Sequence, residues 1–267
     1  MDGTRALSGG HNRGWMEGTM ERELPITGIQ EDLAGVLSGG ARPRWVLTAP
    51  TGSGKSTQVP QYILDHPGFP PGKEVVVLEP RRIAARMLAA WVARQRGVHP
   101  GGEVGYQVRL DSRVSGATRL RYITEGILLR QVVDDPDLDS VGAILLDEFH
   151  ERHLYGDLML AWARRLQETR RPDLLIGVMS ATIEPDALAN WLDGARIIRG
   201  EGRTHPVEIG YGSGRVTDLR VPVWERAAEA IRKDPRSDGD TLVFMPGQME
   251  IRRTIRLLEN ESRLRGH

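Results

Sequence analysis

Hydrophobic positions in this chain fall into short unbroken runs: WVLTA (45–49), VVVLE (75–79), LRYIT (120–124), AILLD (143–147) and LLIGVM (174–179). Runs of this length without alternation predict strands buried on both faces, as in a parallel sheet covered by helices. The stretches between them carry helical spacing, which predicts helices over 30–38, 55–65, 82–97, 125–133, 156–168 and 186–193. Repeated strand–helix alternation defines a doubly wound, mostly parallel α/β domain with helices on both faces. Binding sites of such domains lie at the carboxyl ends of the strands.

The rhythm starts late and breaks once. Residues 1–23 open with a Gly-rich, aperiodic stretch (MDGTRALSGGHNRGWMEGTM, 1–20) and read as a flexible extension. The α/β domain then spans 24–204. After GEGRTHP (200–206), residues 205–267 predict a strand at 206–211, a helix at 217–233, a strand at 241–245 and a helix at 248–264. That is the start of a second α/β domain, with too few strands to be a complete one.

Composition removes several classes of function. There are no cysteines, which excludes disulfides, thiolate zinc sites and thiol catalysis. No apolar run approaches the roughly 18 residues that span a bilayer, and there is no signal-peptide core, so the expected location is cytoplasmic. The formal net charge is zero, which argues against a binder that works by bulk charge but leaves room for a local basic groove. Arginine replaces lysine nearly everywhere in this chain, and one of the few lysines is Lys55.

APTGSGKST (49–57) joins the first predicted strand to the helix at 55–65. A Walker A phosphate loop requires that context. The backbone N–H groups of Thr51, Gly52, Ser53 and Gly54, continued by Lys55, Ser56 and Thr57, can turn inward on a phosphate at the positive end of the helix. Lys55 adds a compact ammonium, where a wide guanidinium would fit poorly. Ser56 offers a hydroxyl to Mg²⁺. The strict pattern begins with Gly, and Ala49 departs from it.

AILLDEFHERH (143–153) drives two acids and a histidine to the end of a buried run. In a phosphate-loop protein Asp147 anchors Mg²⁺, with Ser56 and Glu148 as the other expected metal residues, and Glu148, one residue further into the cleft, also serves as general base. The expectation is that this tip neighbours the Walker A strand. The competing zinc reading takes His150 and His153 as ligands, but H-x-x-H lacks metalloprotease spacing and an obvious third ligand.

Six segments, APTGSGKSTQVPQ, LEPRRIAAR, YITEGILLR, DEFHER, MSAT and VFMPGQMEI, then resemble the ordered motifs of DEAH/DExH-box helicases of superfamily 2. GYQVRLDSR and DEFHER resemble the bacterial HrpB type of that family. The resemblance covers about residues 24–251. It implies a RecA-like domain followed by an incomplete second one. It also implies Mg-ATP (or ADP) as cofactor and single-stranded RNA, with DNA as an alternative, as partner through its phosphates.

By the same resemblance, Arg81, Arg82, Thr124 and Gly126 contact nucleic acid. Ser180 and Thr182 couple the nucleotide state to domain movement. His150, grouped with Lys55 and Glu148 as catalytic, is expected from its own position to couple the nucleotide site to the second domain, with an inert histidine as the alternative. Relatives often carry a base-stacking Arg where this chain has Trp91; a wall of the base site and plain core packing are the two readings for that ring. No QRxGRxGR-like run follows Met245. The expected behaviour is therefore that of a truncated helicase motor that binds nucleotide but hydrolyses weakly. The alternative is a nucleotide-gated binding module without unwinding.

Overall fold

The structure, a computed structural model, describes residues 24–202, 207–210, 221–233 and 240–264. The extension read over 1–23 lies outside the described residues. The chain divides into two compact units between His205 and Pro206.

In the first unit a 3-10 turn (Pro25–Ile29) runs into helix α1 (Gln30–Leu37). Strand β1 (Arg44–Thr48) leads to α2 (Lys55–Asp65), and β2 (Glu74–Leu78) leads to α3 (Arg82–Gln95). Strands β3 (Val104–Val108) and β4 (Asp111–Arg113) form an antiparallel pair. Then come β5 (Leu120–Ile123), α4 (Glu125–Asp134), β6 (Val141–Leu146) and α5 (Leu154–Thr169). The unit ends with β7 (Leu175–Ser180), α6 (Pro185–Trp191) and β8 (Arg196–Arg199). The eight strands make one sheet in the order β4-β3-β5-β2-β6-β7-β1-β8, parallel except for the β3–β4 pair. This is the expected doubly wound, RecA-like arrangement.

Alternate residues of each strand enter opposite cores, as the period of two requires. Trp45, Leu47, Val75, Val77 and Leu145 pack with α1, α2 and α3, whereas Val46, Val76, Ile144, Leu146 and Val178 pack with α4, α5 and α6. The close approach of β1 to β7 depends on one glycine: Gly177 pairs with Trp45, and a Cβ there would drive into the indole.

Three strands were not anticipated. In VGYQV (β3) a glycine and a glutamine interrupt the apolar run; β4 is three polar residues; and RIIR (β8) offers two apolar positions. The sheet recruits them through backbone pairing, which their side chains do not announce. One further expectation changes. The Walker A strand and the DEFH strand are not neighbours, because β7 lies between β1 and β6.

In the second unit the described residues form α7 (Val223–Lys233) and α8 (Gln248–Leu264). The described parts of the strands expected at 206–211 and 241–245 form no strand, and the TLVFM side chains are mostly exposed. An apolar run becomes a strand only where a partner completes its hydrogen bonds, and no partner strand stands beside these segments among the described residues.

Candidate active site

The site lies along the carboxyl ends of β1, β7, β6 and β2. From β1 the chain turns through the glycine loop into α2. Gly52 and Gly54 have φ of 80° and 97°, a backbone region that strongly favours glycine. A Cβ on Gly54 would also meet Leu24 Cδ1 at 2.9 Å. Gly54 caps α2 without any side-chain bond, so the first N–H groups of that helix face the loop uncapped. The Ser53 hydroxyl is buried with no partner, a donor left for a ligand. Ala49, at the position of the missing first glycine, donates its N–H to the Ser180 carbonyl at 3.1 Å. That bond ties the loop to the tip of β7.

Lys55 is only 3% exposed. Its ammonium reaches across β7 to Glu148 Oε1 at 3.2 Å. Glu148 sits at φ 48°, an uncommon left-handed conformation for a residue with a side chain, and its N–H donates to Asp147 Oδ1 at 2.8 Å. This local turn separates the two acids. Asp147 stays behind at 5% exposure, while Glu148 swings forward with His150 Nδ1 3.3 Å from its Oε2. Burial pushes the Asp147 carboxyl up, and the Ser56 hydroxyl and Lys55 pull the other way. Asp147 Oδ2 has no protein partner.

A third carboxylate, missed in the sequence, completes the cluster. Glu79 directly follows β2, is 2% exposed, and lies against Asp147. Burial first, and then the Asp147 charge, push it up to about 10. Its sequence signal was an acid at the end of VVVLE, immediately before PRR, read there as part of a strand. Beneath the cluster Tyr122 is fully buried and donates its hydroxyl to the Ser56 carbonyl at 2.9 Å. Burial, with the charges of Glu79 and Asp147, holds that phenol well above its ordinary range.

These groups open into a cleft of about 480 Å³ lined by Thr51, Ser56, Glu79, Arg81, Met87 and Glu148. His150 and Glu151 border it as well. The remaining expected residues are placed as follows. Thr57 bonds back to the Gly54 carbonyl at 3.1 Å. Arg81 and Arg82 are exposed at the start of α3, and Arg81 pairs with Glu151 at 2.7 Å. Thr124 is the N-cap residue of α4, yet its hydroxyl makes no capping bond, and Gly126 faces open space. Ser180 is buried and accepts the N–H groups of Thr182 and Ile183 at 3.3 and 3.1 Å. Thr182 itself is exposed.

Trp91 is 52% exposed, on the same face of α3 as Met87; core packing is overturned for that ring. The two histidines of the zinc reading face different acids, His150 toward Glu148 and His153 toward Glu151 at 3.1 Å. Among the described residues no helix is long and apolar enough to cross a membrane.

Sheet order defines a RecA-like domain, with the glycine loop and the acid pair at the carboxyl ends of its strands. Comparison with known proteins narrows the class. The family model described as DEAD/DEAH box helicase matches residues 27–190, and the chain belongs to that family. It is 40% identical over 238 residues to "ATP-dependent RNA helicase HrpB" of Escherichia coli (strain K12), covering 86% of this chain and 28% of that one. It is 36% identical over 242 residues to "Probable ATP-dependent RNA helicase DHR2" of Saccharomyces cerevisiae, covering 90% of this chain and 32% of the relative. Among solved structures, that of Escherichia coli DEAH/RHA helicase HrpB superposes with TM-score 0.74 at 39% identity, covering 89% of this chain and 30% of that one. A second, of the E. coli DExH-box NTPase HrpB, gives TM-score 0.68 at 38% identity, over 89% of this chain and 29% of that one. The chain thus spans less than a third of the length of each of these relatives.

Proposed function

We propose that residues 24–204 bind Mg-ATP and hydrolyse it as one lobe of an RNA-directed helicase motor, with residues 205–267 belonging to a second lobe. The observation that carries this reading is the ion pair of Lys55 with Glu148, which joins the tips of two strands that flank β7, at a cleft lined by Ser56 and Glu148 with Asp147 buried behind them. Buried lysines and acids at strand ends need a charged ligand or one another. Here Lys55 and Glu148 hold one another.

A triphosphate entering the glycine loop competes for the Lys55 ammonium and releases Glu148. Glu148 is then free to accept a proton from a water, whose oxygen attacks the γ-phosphorus as the β–γ bridging bond breaks, leaving ADP and phosphate. His150, beside the other oxygen of Glu148, orients that carboxylate. Ser56 and Asp147 would hold Mg²⁺, a role the unpartnered Asp147 Oδ2 fits, and the charge the ion would supply there is positive, against the phosphates. Trp91 and Met87 offer an apolar wall for the base beyond the phosphates. Arg81, Arg82, Thr124 and Gly126 stand at the tips of β2 and β5 as contacts to the RNA backbone, and Ser180 and Thr182 link β7 to the phosphate site.

The 267 residues hold no QRxGRxGR-like run. An arginine finger is worth about 10³–10⁵ in rate. The chain alone is therefore proposed to bind nucleotide tightly relative to its turnover and to be weakly stimulated by RNA. The test is ATPase activity with and without single-stranded RNA, on the wild type and Glu148→Gln. The expected outcome is a slow wild-type rate that falls about 10²–10⁴-fold in Glu148→Gln, with ADP affinity retained. Equal rates in the two proteins would overturn the assignment of the base.

A further inference from the structure

We propose that Glu79 is the second carboxylate of the divalent-cation site, holding the water shell of the ion beside Asp147. The proposal rests on the nucleotide-site reading above. It begins with backbone register. Pairing of β2 with β6 sets Leu78 opposite Leu146, so Glu79 and Asp147, the next residue of each strand, leave the sheet at the same level. Both are pinned: the Asp147 N–H donates to the Leu78 carbonyl at 3.0 Å, and the Glu79 N–H to the Ile123 carbonyl at 2.8 Å.

The side chains touch, and each keeps one buried oxygen, Glu79 Oε1 and Asp147 Oδ2, that no protein donor satisfies. Two acceptor oxygens buried together call for a cation or for donors such as the water on one. Each carboxyl is the other's hydrogen-bond partner and the Ser56 hydroxyl also reaches Asp147, but neither contact supplies a positive charge. Lys55 is engaged with Glu148. Glu148 is turned away, with its two oxygens toward Lys55 and His150.

The chemistry of the ion agrees with a pair. Magnesium is held by one or two carboxylates, keeps several waters, and leaves its other positions to phosphate oxygens. Among the described residues no group of three or more acidic or imidazole side chains forms a protein-only cage. Glu79 also lines the cleft with Thr51, Ser56 and Glu148, so it faces whatever enters there. It touches neither phosphate nor attacking water in this arrangement, so it is a positioning residue.

The experiment is an electron paramagnetic resonance titration of Mn²⁺ into the full 267-residue chain saturated with ADP. Glu79→Gln keeps the size and removes the charge. Outer partners of metal ligands are worth about 10–100-fold in metal affinity. The expected result is a Mn²⁺ affinity at least about 10-fold weaker, with ADP affinity in chelator and the metal-free melting temperature no lower than wild type. Glu79→Asp, which retains the charge, recovers part of the Mn²⁺ affinity. Unchanged Mn²⁺ binding in Glu79→Gln overturns the proposal. So does a loss of Mn²⁺ affinity matched by an equal loss of metal-free ADP affinity, since that reports a collapsed pocket. Asp147→Asn is the control: wild-type Mn²⁺ affinity in that variant overturns the nucleotide-site reading itself.

Discussion

At the scale of single residues, the site is a balance of buried charge. Glu79 shifts from 4.5 to about 10, chiefly through burial. The folded, metal-free protein therefore holds a proton that the unfolded chain gives up above its ordinary carboxylate range. Where the native state binds more protons, stability falls as pH rises. The contribution is full below the unfolded value and is lost as pH climbs toward the folded one. Thermal melts in chelator between about pH 5.5 and about pH 9 should show a falling midpoint. Glu79→Gln should fall less; a residual slope is expected because Asp147 is raised as well. Lys55 gives a second prediction at this scale. Its ammonium fits a narrow space between Glu148 and the loop, so Lys55→Arg should lose ADP affinity despite conserving charge, measured by calorimetry.

At the scale of elements, glycines decide how closely strands and loops approach. Gly177 lies under the Trp45 ring where β1 meets β7. Gly177→Ala forces the indole or the strands apart, and overpacking of this kind costs about 1–3 kcal/mol. Urea unfolding should report a lower midpoint with an unchanged slope. Ser180 and Thr182, adjacent in their motif, should separate in the same assay. Ser180→Ala strips an acceptor from two backbone N–H groups and loses about 1–3 kcal/mol. Thr182→Ala touches an exposed side chain and should leave the midpoint within about 0.5 kcal/mol. An effect of Thr182→Ala on turnover alone would then speak for coupling.

At the scale of the whole molecule, zero net charge means that the proposed RNA contact depends on where the arginines stand. Arg81 is exposed and held by Glu151, three residues past Glu148. An exposed ion pair is worth little by itself, so a phosphate can displace it. Arg81→Ala should weaken single-stranded RNA binding across sequences and reduce the salt slope by about 0.7. Fluorescence anisotropy at several salt concentrations measures both. Glu151→Gln, by freeing Arg81, should shift RNA affinity the opposite way.

The sequence by itself determined the doubly wound order, because unbroken apolar runs can be buried only between two helical layers. It also determined the glycine loop and the DEFH acids, because their chemistry depends on residues adjacent in the chain. Position 79 shows where that reading ended. A glutamate closing VVVLE has no local signal of function; only the β2–β6 register brings it against Asp147. Likewise β7 lies between β1 and β6, and β3, β4 and β8 exist because neighbouring backbone completes their hydrogen bonds. Pairing across distant segments is a property of the folded sheet, so tertiary structure alone could decide which acids share a site and which apolar runs become strands.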